Sequence, residues 1–163
     1  MPDVFTKAKR SEVMSRIRSR GNRDTELALA RLFRANRIIG WRRQVEVWIM
    51  KRGARNSGAH GVTRPTFRVK PDFVFPKLKL AVFVDGCFWH GCPKHATWPS
   101  NRAAWWRRKL EGNKARDRLA KQSLRHAGWR VLRIWEHELK SCRVRKAKCG
   151  TARLVRRIQR ALV

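Results

Sequence analysis

Residues 67–95 read FRVKPDFVFPKLKLAVFVDGCFWHGCPKH. Two runs inside this stretch, 67–75 and 79–85, are dense in Phe, Val and Leu. That is the composition of short strands buried on both faces, and Pro76-Lys77 between them reads as a turn. A third run of the same kind, 129–135 (WRVLRIW), follows a long helical pattern and should lie near strand 79–85. Upstream, 41–49 (WRRQVEVWI) alternates well enough to add a strand. The expected fold class is therefore α/β, with a three- or four-stranded mixed sheet flanked by helices in a single domain over 1–163.

The helices follow from spacing. Residues 6–20 read as a short basic helix with Val13, Met14 and Ile17 on one side. A second helix over 25–36, capped by Asp24 or Thr25, places Leu29, Leu32 and Phe33 at i, i+3, i+4. In the long helix 101–127, Trp106, Leu110, Asn113, Asp117, Ala120, Leu124 and Ala127 step by three and four and define one face. Asn113 and Asp117 interrupt that apolar stripe, and an inward carboxylate needs a partner. Gly150-Thr151 is expected to cap a last helix, in which Leu154, Val155, Ile158 and Leu162 oppose arginines. The segment 51–66, rich in Gly, Ser, Asn and Arg, reads as a basic loop.

Charge narrows the class of partner. Lys and Arg number 41 against 11 Asp and Glu, a formal +30. An ordinary small-molecule enzyme has no use for such a surface, whereas a polyanion-binding protein does, and nucleic acid is the first candidate. Eight Trp and seven Phe argue against disorder, and no apolar run reaches the ~20 residues of a membrane span. The N-terminal MPDVFTKAKR lacks the apolar core of a secretory signal. A cytoplasmic setting is expected, where clustered cysteines more often bind metal than pair as disulfides.

The scarce acids carry more information than the abundant bases. Asp3, Glu12, Asp24, Glu111 and Glu138 fall where solvated surfaces or caps are expected, but Asp72 and Asp85 end or interrupt apolar strands. Two carboxylates brought together at neighbouring strand ends repel unless a cation lies between them. In a protein that binds phosphodiesters, a Mg²⁺ held by one or two carboxylates is the chemically useful cation. The alternative is that each caps a turn or pairs with an arginine.

Residues 85–95, DGCFWHGCPKH, supply Cys87, Cys92 and His95 in compact spacing, three of the four ligands a structural Zn²⁺ takes. His137, just after strand 129–135, is the choice for the fourth, with Cys142 and Cys149 as competitors. A closed site of this kind pins a loop too small for its own core. Phe88 and Trp89 inside the loop, with Trp105 and Trp106 on the helix, suit stacking or wedging between bases, or else they are core. His90 is a candidate general acid or base.

Taken together, RSEVMSRIRSRG (10–21), KPDFVF (70–75), VFVDGCFWHGCPKH (82–95), AWWRRKLEGNKARDR (104–118) and GWRVLRIWEHEL (128–139) resemble the very-short-patch-repair (Vsr) mismatch endonucleases over about residues 6–140. The resemblance implies a restriction-endonuclease-like fold with a structural zinc, in a cytosolic, nucleoid-associated bacterial enzyme. It implies Mg²⁺-dependent nicking 5′ to the thymine of a T:G mismatch in double-stranded DNA. Such mismatches arise from 5-methylcytosine deamination, so a cytosine-5 DNA methyltransferase and a repair polymerase are the implied associates. By position, Asp72 matches the metal-binding catalytic aspartate, His90 the acid–base histidine, Asp117 the aspartate that orients it, and Glu26 a glutamate near the metal's water shell. Phe88, Trp89 and Trp106 match the intercalating wedge, and Met14 and Ile17 residues entering from the opposite groove. Cys87, Cys92, His95 and His137 fill the zinc positions.

Two departures stand out. Asp85 occupies a position where some relatives carry histidine and is read as a second metal ligand, with a part in the acid–base apparatus as the alternative, and 51–66 is an insertion. In this reading 1–24 holds a DNA-contacting helix and 141–163 a basic C-terminal helix, and the protein acts as a monomer. Two other functions fit parts of the sequence: a related nuclease acting on matched duplex, and a non-enzymatic zinc-containing nucleic-acid binder.

Overall fold

The computed structural model describes Glu12, Asn22 and residues 24–49, 67–140 and 148–163, with the side chains of 148–150 excepted. The expected helix 6–20 with Met14 and Ile17, the loop 51–66, Cys142 and the side chain of Cys149 lie outside the described residues. Helix α1 (Glu26–Ala35) leads into strands β1 (Arg42–Arg43), β2 (Val47–Ile49), β3 (Phe67–Val69), β4 (Phe73–Phe75) and β5 (Leu80–Asp85). Helix α2 (Ala103–His126) then crosses to β6 (Arg130–Trp135), followed by α3 (Glu136–Lys140) and α4 (Lys148–Leu162). The main sheet has the order β1-β4-β5-β6, antiparallel except for the β5–β6 pair, and β2 and β3 form a separate two-stranded sheet.

Two runs expected to be single strands are each split between the two sheets. In 41–49 the chain takes a left-handed turn at Gln44 (φ 57°), whose N–H still donates to the Asp72 carbonyl before the strand is abandoned. In 67–75 the break falls at Lys70–Asp72, around Pro71, which has no N–H to continue a ladder. The turn at Pro76 is a 3-10 turn closed by Lys79 in the left-handed region (φ 45°). Thr25 makes no side-chain cap on α1; Asn22 takes up the end of the helix instead, its carbonyl accepting from Leu27 N–H. Likewise α4 begins at Lys148, so Gly150 and Thr151 lie within its first turns and do not cap it.

Period-two alternation gives the main sheet two different faces. Phe73, Phe75, Leu80, Val82 and Ile134 pack with Leu29 and Phe33 of α1 and Leu154 and Ile158 of α4. Phe33 is the centre of this core, meeting Phe73 edge-on at 5.2 Å and Phe75 at 5.7 Å between ring centroids. On the opposite face, Val74 and Ala81 pack with Leu124 of α2 and with Val47, Ile49 and Val69 of the small sheet. The register Phe83↔Arg133 and Asp85↔Trp135 places Asp85 and Arg133 on this second face, toward α2. That face carries the site. Among the described residues no helix is long and apolar enough to cross a membrane.

Candidate active site and metal centre

Beyond the end of β5 the chain doubles back on itself. His90 N–H donates to the Gly86 carbonyl, Cys92 N–H to Cys87 and Ala96 N–H to Cys92. Gly91 permits the reversal with φ +59°, where a Cβ would also overlap the Lys114 side chain. The loop thus presents Cys87 and Cys92 on one side and Phe88, Trp89 and His90 on the other.

On the first side, ligand atoms of Cys87, Cys92, His95 and His137 all lie within 4.8 Å of one another. His137 Nδ1 is 3.2 Å from Cys87 Sγ and 3.7 Å from Cys92 Sγ, and His95 Nδ1 is 3.8 Å from Cys92 Sγ. A tetrahedral ion with ordinary metal–sulfur and metal–nitrogen bonds sets sulfur and nitrogen ligands about 3.5 Å apart, so the four residues fit one. Their chemistry agrees. Desolvation, with the neighbouring Cys92 sulfur, pushes the Cys87 thiol up, the situation a cation between the two sulfurs relieves. Desolvation and the nearby His95 push His137 down, toward the neutral ring that a ligand must be. Cys87 is further held by Glu136, whose Oε2 accepts its N–H at 3.2 Å.

On the other side is a cavity of about 610 Å³ containing Glu26, Asp72, Asp85, His90, Asp117 and Arg133. His90 Nδ1 donates to Asp117 Oδ2 at 2.6 Å, so the inward Asp117 has its partner, and Nε2 is the ring nitrogen left for other chemistry. Asn113, one turn earlier on α2, donates to the Trp89 carbonyl at 2.9 Å and fixes the loop above the dyad. Desolvation works against the imidazolium, but the bond to Asp117 and the charge of Asp85 outweigh it and raise His90 above its ordinary range. Desolvation likewise opposes the Asp117 carboxylate, yet His90 and Arg133 together hold its pKa low.

Asp72 stands somewhat apart from the dyad. Its Oδ2 accepts Val84 N–H at 2.7 Å, which ties the carboxylate to the neighbouring strand. Burial raises its pKa from 3.8 to about 6, over the opposing effect of that hydrogen bond and with help from the charges of Glu26 and Asp85. A carboxylate so placed gains from a cation. Asp85 differs. It is 2% exposed, and both its oxygens are taken by Arg133, Oδ2 by Nε and Oδ1 by Nη2, each at 2.5 Å. Arg133 Nη2 also lies 2.9 Å from Asp117 Oδ2. The cation beside Asp85 is therefore a guanidinium, while ligand atoms of Asp85, His90 and Asp117 also lie within 4.8 Å of one another, a spacing that could hold a metal ion. Glu26 is 4% exposed, its Oε2 receiving Arg43 Nη2 at 2.8 Å and Gln44 Nε2 at 3.0 Å.

The wedge residues form one cluster. Phe88 lies 5.1 Å from Trp89 and 5.2 Å from Trp106 between ring centroids, both edge-on. Trp106 is buried at its base, Phe88 and Trp89 are half-buried at the cavity rim, and Trp105 is half exposed. Sequence reasoning missed Arg133 and Glu136. An arginine near the centre of the apolar run WRVLRIW was the available signal for the first. Glu138, expected to be solvated, instead accepts Trp135 N–H and pairs with Arg157.

Residues 56–96 match the family described as DNA mismatch endonuclease Vsr. Over 71 residues the chain is 58% identical to the Type II nicking enzyme V.NaeI of Lentzea aerocolonigenes, covering 44% of this chain and 43% of that protein. Over 164 residues it is 33% identical to the Type II nicking enzyme V.NmeAIP of Neisseria meningitidis serogroup A, covering 99% of this chain and 100% of the relative. It is 37% identical over 75 residues to the DNA mismatch endonuclease Vsr of Escherichia coli (strain K12), covering 44% and 46%. The matches to V.NaeI and to the E. coli protein thus span just under half of each, and the match to V.NmeAIP spans the whole.

Proposed function

The chain belongs to the Vsr endonuclease family, and from that premise we propose that it nicks one strand of duplex DNA, 5′ to the thymine of a T:G mismatch, by Mg²⁺-dependent phosphodiester hydrolysis. The observation that carries this reading is the His90–Asp117 dyad at 2.6 Å in the same cavity as the desolvated Asp72.

Asp72 is the residue that would hold Mg²⁺; among the described residues no donor other than Val84 N–H meets its carboxylate. The ion, when bound, supplies positive charge to the scissile phosphate and lowers the pKa of a water. His90, oriented through Nδ1 by Asp117 and raised toward the imidazolium, delivers a proton from Nε2 to the leaving oxygen. Arg133 keeps Asp85 and Asp117 in place behind it. Glu26, locked by Arg43 and Gln44 in the same cavity as Asp72, would accept hydrogen bonds from water that a bound ion carries. Phe88 and Trp89 open the helix beside the wobble pair, supported from below by Trp106. Opening costs least at a mismatch, so deformability contributes to selectivity. Cys87, Cys92, His95 and His137 would hold Zn²⁺, which would fix the loop that carries both the wedge and His90. The core is read as restriction-endonuclease-like, with the chain cytoplasmic and monomeric, and a cytosine-5 DNA methyltransferase is its expected functional associate.

A second reading has a specific observation behind it: several relatives are named Type II nicking enzymes. On that reading the enzyme nicks within a different sequence context, and matched duplexes are its substrate. One assay separates the two. T:G, T:A and C:G duplexes of the same sequence are incubated with the protein and Mg²⁺, with Asp72→Ala as control. Nicking of the T:G strand alone supports the mismatch reading; equal nicking of matched duplex replaces it with the second. No Mg²⁺-dependent nick at all removes both.

A further inference from the structure

The cavity that would cut DNA is poorly suited to holding it. It is lined by six carboxylates, Asp24, Glu26, Asp72, Asp85, Asp117 and Glu136, and the cations near them are taken up in pairs: Arg133 and His90 with Asp85 and Asp117, Arg43 with Glu26 and Lys140 with Glu136. Cations already bound to carboxylates offer a phosphate chain little attraction of their own. The attraction has to come from elsewhere.

A groove of about 840 Å³ lies on the far side of the 87–95 loop and shares no lining residue with the cavity. One wall is the loop, with Cys92, Pro93 and Lys94; the other is α4, which buries Leu154, Val155 and Ile158 and turns Arg153, Arg156, Arg157 and Arg160 outward. Those arginines follow an i, i+3, i+4, i+7 spacing, so they stand along one face of the helix. Arg157 differs from the rest. It forks onto Glu138, Nη1 to Oε1 at 2.7 Å and Nη2 to Oε2 at 3.0 Å, and donates to the Arg133 carbonyl at 3.1 Å. That fork neutralises the one acid in the groove and pins α4 to the strand behind the active site. Lys94, Arg153, Arg156 and Arg160 are left as exposed cations with no acidic partner among the described residues.

We propose that this groove is a second nucleic-acid contact, which grips the sugar–phosphate backbone of the same duplex a few nucleotides from the cut. The inference rests on the proposed DNA substrate. Geometry supplies the continuity: His90 borders the cavity and Cys92 the groove, and two residues span at most about 7 Å. One strand carries a phosphate every 3.4 Å of helix axis, so the backbone that leaves the cavity over the loop enters the groove within a few phosphates. The division of labour is chemical. Carboxylates gather where a metal and a proton donor must act, and arginines gather where only charge and a fork geometry are wanted.

The test uses the full chain with Arg153, Arg156 and Arg160 all changed to Gln, and a second variant with all three changed to Lys. Arg157 is left intact because its loss would strand Glu138. Binding to a matched DNA duplex and to the same duplex with one T:G pair is measured across a salt series, and nicking is measured at saturating DNA. In the Gln variant the log–log salt slope falls by about 2.7, from about 0.9 per lost phosphate contact. The wild-type advantage then shrinks about 40-fold between 50 and 200 mM salt. Both duplexes weaken equally, the saturated nick rate is unchanged, and the Lys variant recovers most of the slope. An unchanged slope overturns the proposal, as does a slope that falls for only one of the two duplexes. A wild-type chain that binds with this slope but never nicks refutes the proposed function and leaves the groove standing.

Discussion

Replacing Asp72 with Asn should make the protein more stable while removing its activity. The carboxylate is desolvated beside β5, with Glu26 and Asp85 nearby, and its pKa rises from 3.8 to about 6. A folded value above the unfolded one means the folded state binds the extra proton between those two pH values. Stability therefore falls as pH rises across that window, and the full penalty is present above pH 6. The displacement corresponds to a ceiling of about 3 kcal/mol. Asp72 borders a solvent-open cavity, so water screens part of it, and about 1–3 kcal/mol is expected at pH 7.5, with about half that at pH 5. Asn fills the same space and still accepts the Val84 N–H through its amide oxygen, so the substitution removes the charge and little else. The assay is urea unfolding of wild type and Asp72→Asn at both pH values without added Mg²⁺. The difference between the two proteins isolates this one group. A variant no more stable than wild type at pH 7.5, or a gain that does not shrink on acidification, refutes the assignment of Asp72 as a desolvated carboxylate. Nicking by the variant at the wild-type rate would show that Asp72 does not hold the catalytic ion.

Arg133→Ala leaves Asp85 buried without its counter-ion and should cost about 3–5 kcal/mol in chemical unfolding; adding Asp85→Asn should recover part of that loss, and a neutral single variant contradicts the pairing. Cys92→Ser should lower bound zinc from about one per chain to none by elemental analysis and expose residues 86–96 to protease; retained zinc would point to a different fourth ligand. In Asp117→Asn, His90 loses its hydrogen-bonded partner and its pKa should fall back toward the ordinary range, read from imidazole proton shifts in NMR. Stability has its own signature in the wild-type dyad. A raised His90 stabilises below 6.5 and loses its contribution as pH rises through its folded value. A lowered Asp117 stabilises above 3.8 and loses its contribution on acidification. Their joint contribution therefore plateaus between 3.8 and 6.5, and Asp117→Asn should flatten that plateau.

The main strands, the two long helices and the inward position of Asp117 were legible because each is a local periodicity. The apolar runs 80–85 and 130–135 and the four-and-three stepping of α2 depend only on neighbours in the chain. So does the Cys87–Cys92–His95 spacing, which already contains three of the four clustered ligands. The splitting of 41–49 and 67–75 was not legible, since residues fit for a strand do not state which sheet they will join. Arg133 was missed for a related reason. In the sequence it is one of 41 cations; only the parallel register of β5 and β6 sets it against Asp85.

By itself, then, the sequence determined that the chain is a basic α/β protein with a metal-type loop, scarce acids on apolar strands and a carboxylate on the inner face of a helix. The tertiary structure decided how those acids divide. Asp117 is bound to His90, Asp85 to Arg133 and Glu26 to Arg43, while Asp72 lies desolvated beside them. It also parted the charge into an acid-lined cavity and an arginine-lined groove on opposite sides of one loop. Partnering between charges far apart in sequence depends on register and crossover, which side-chain periodicity does not encode.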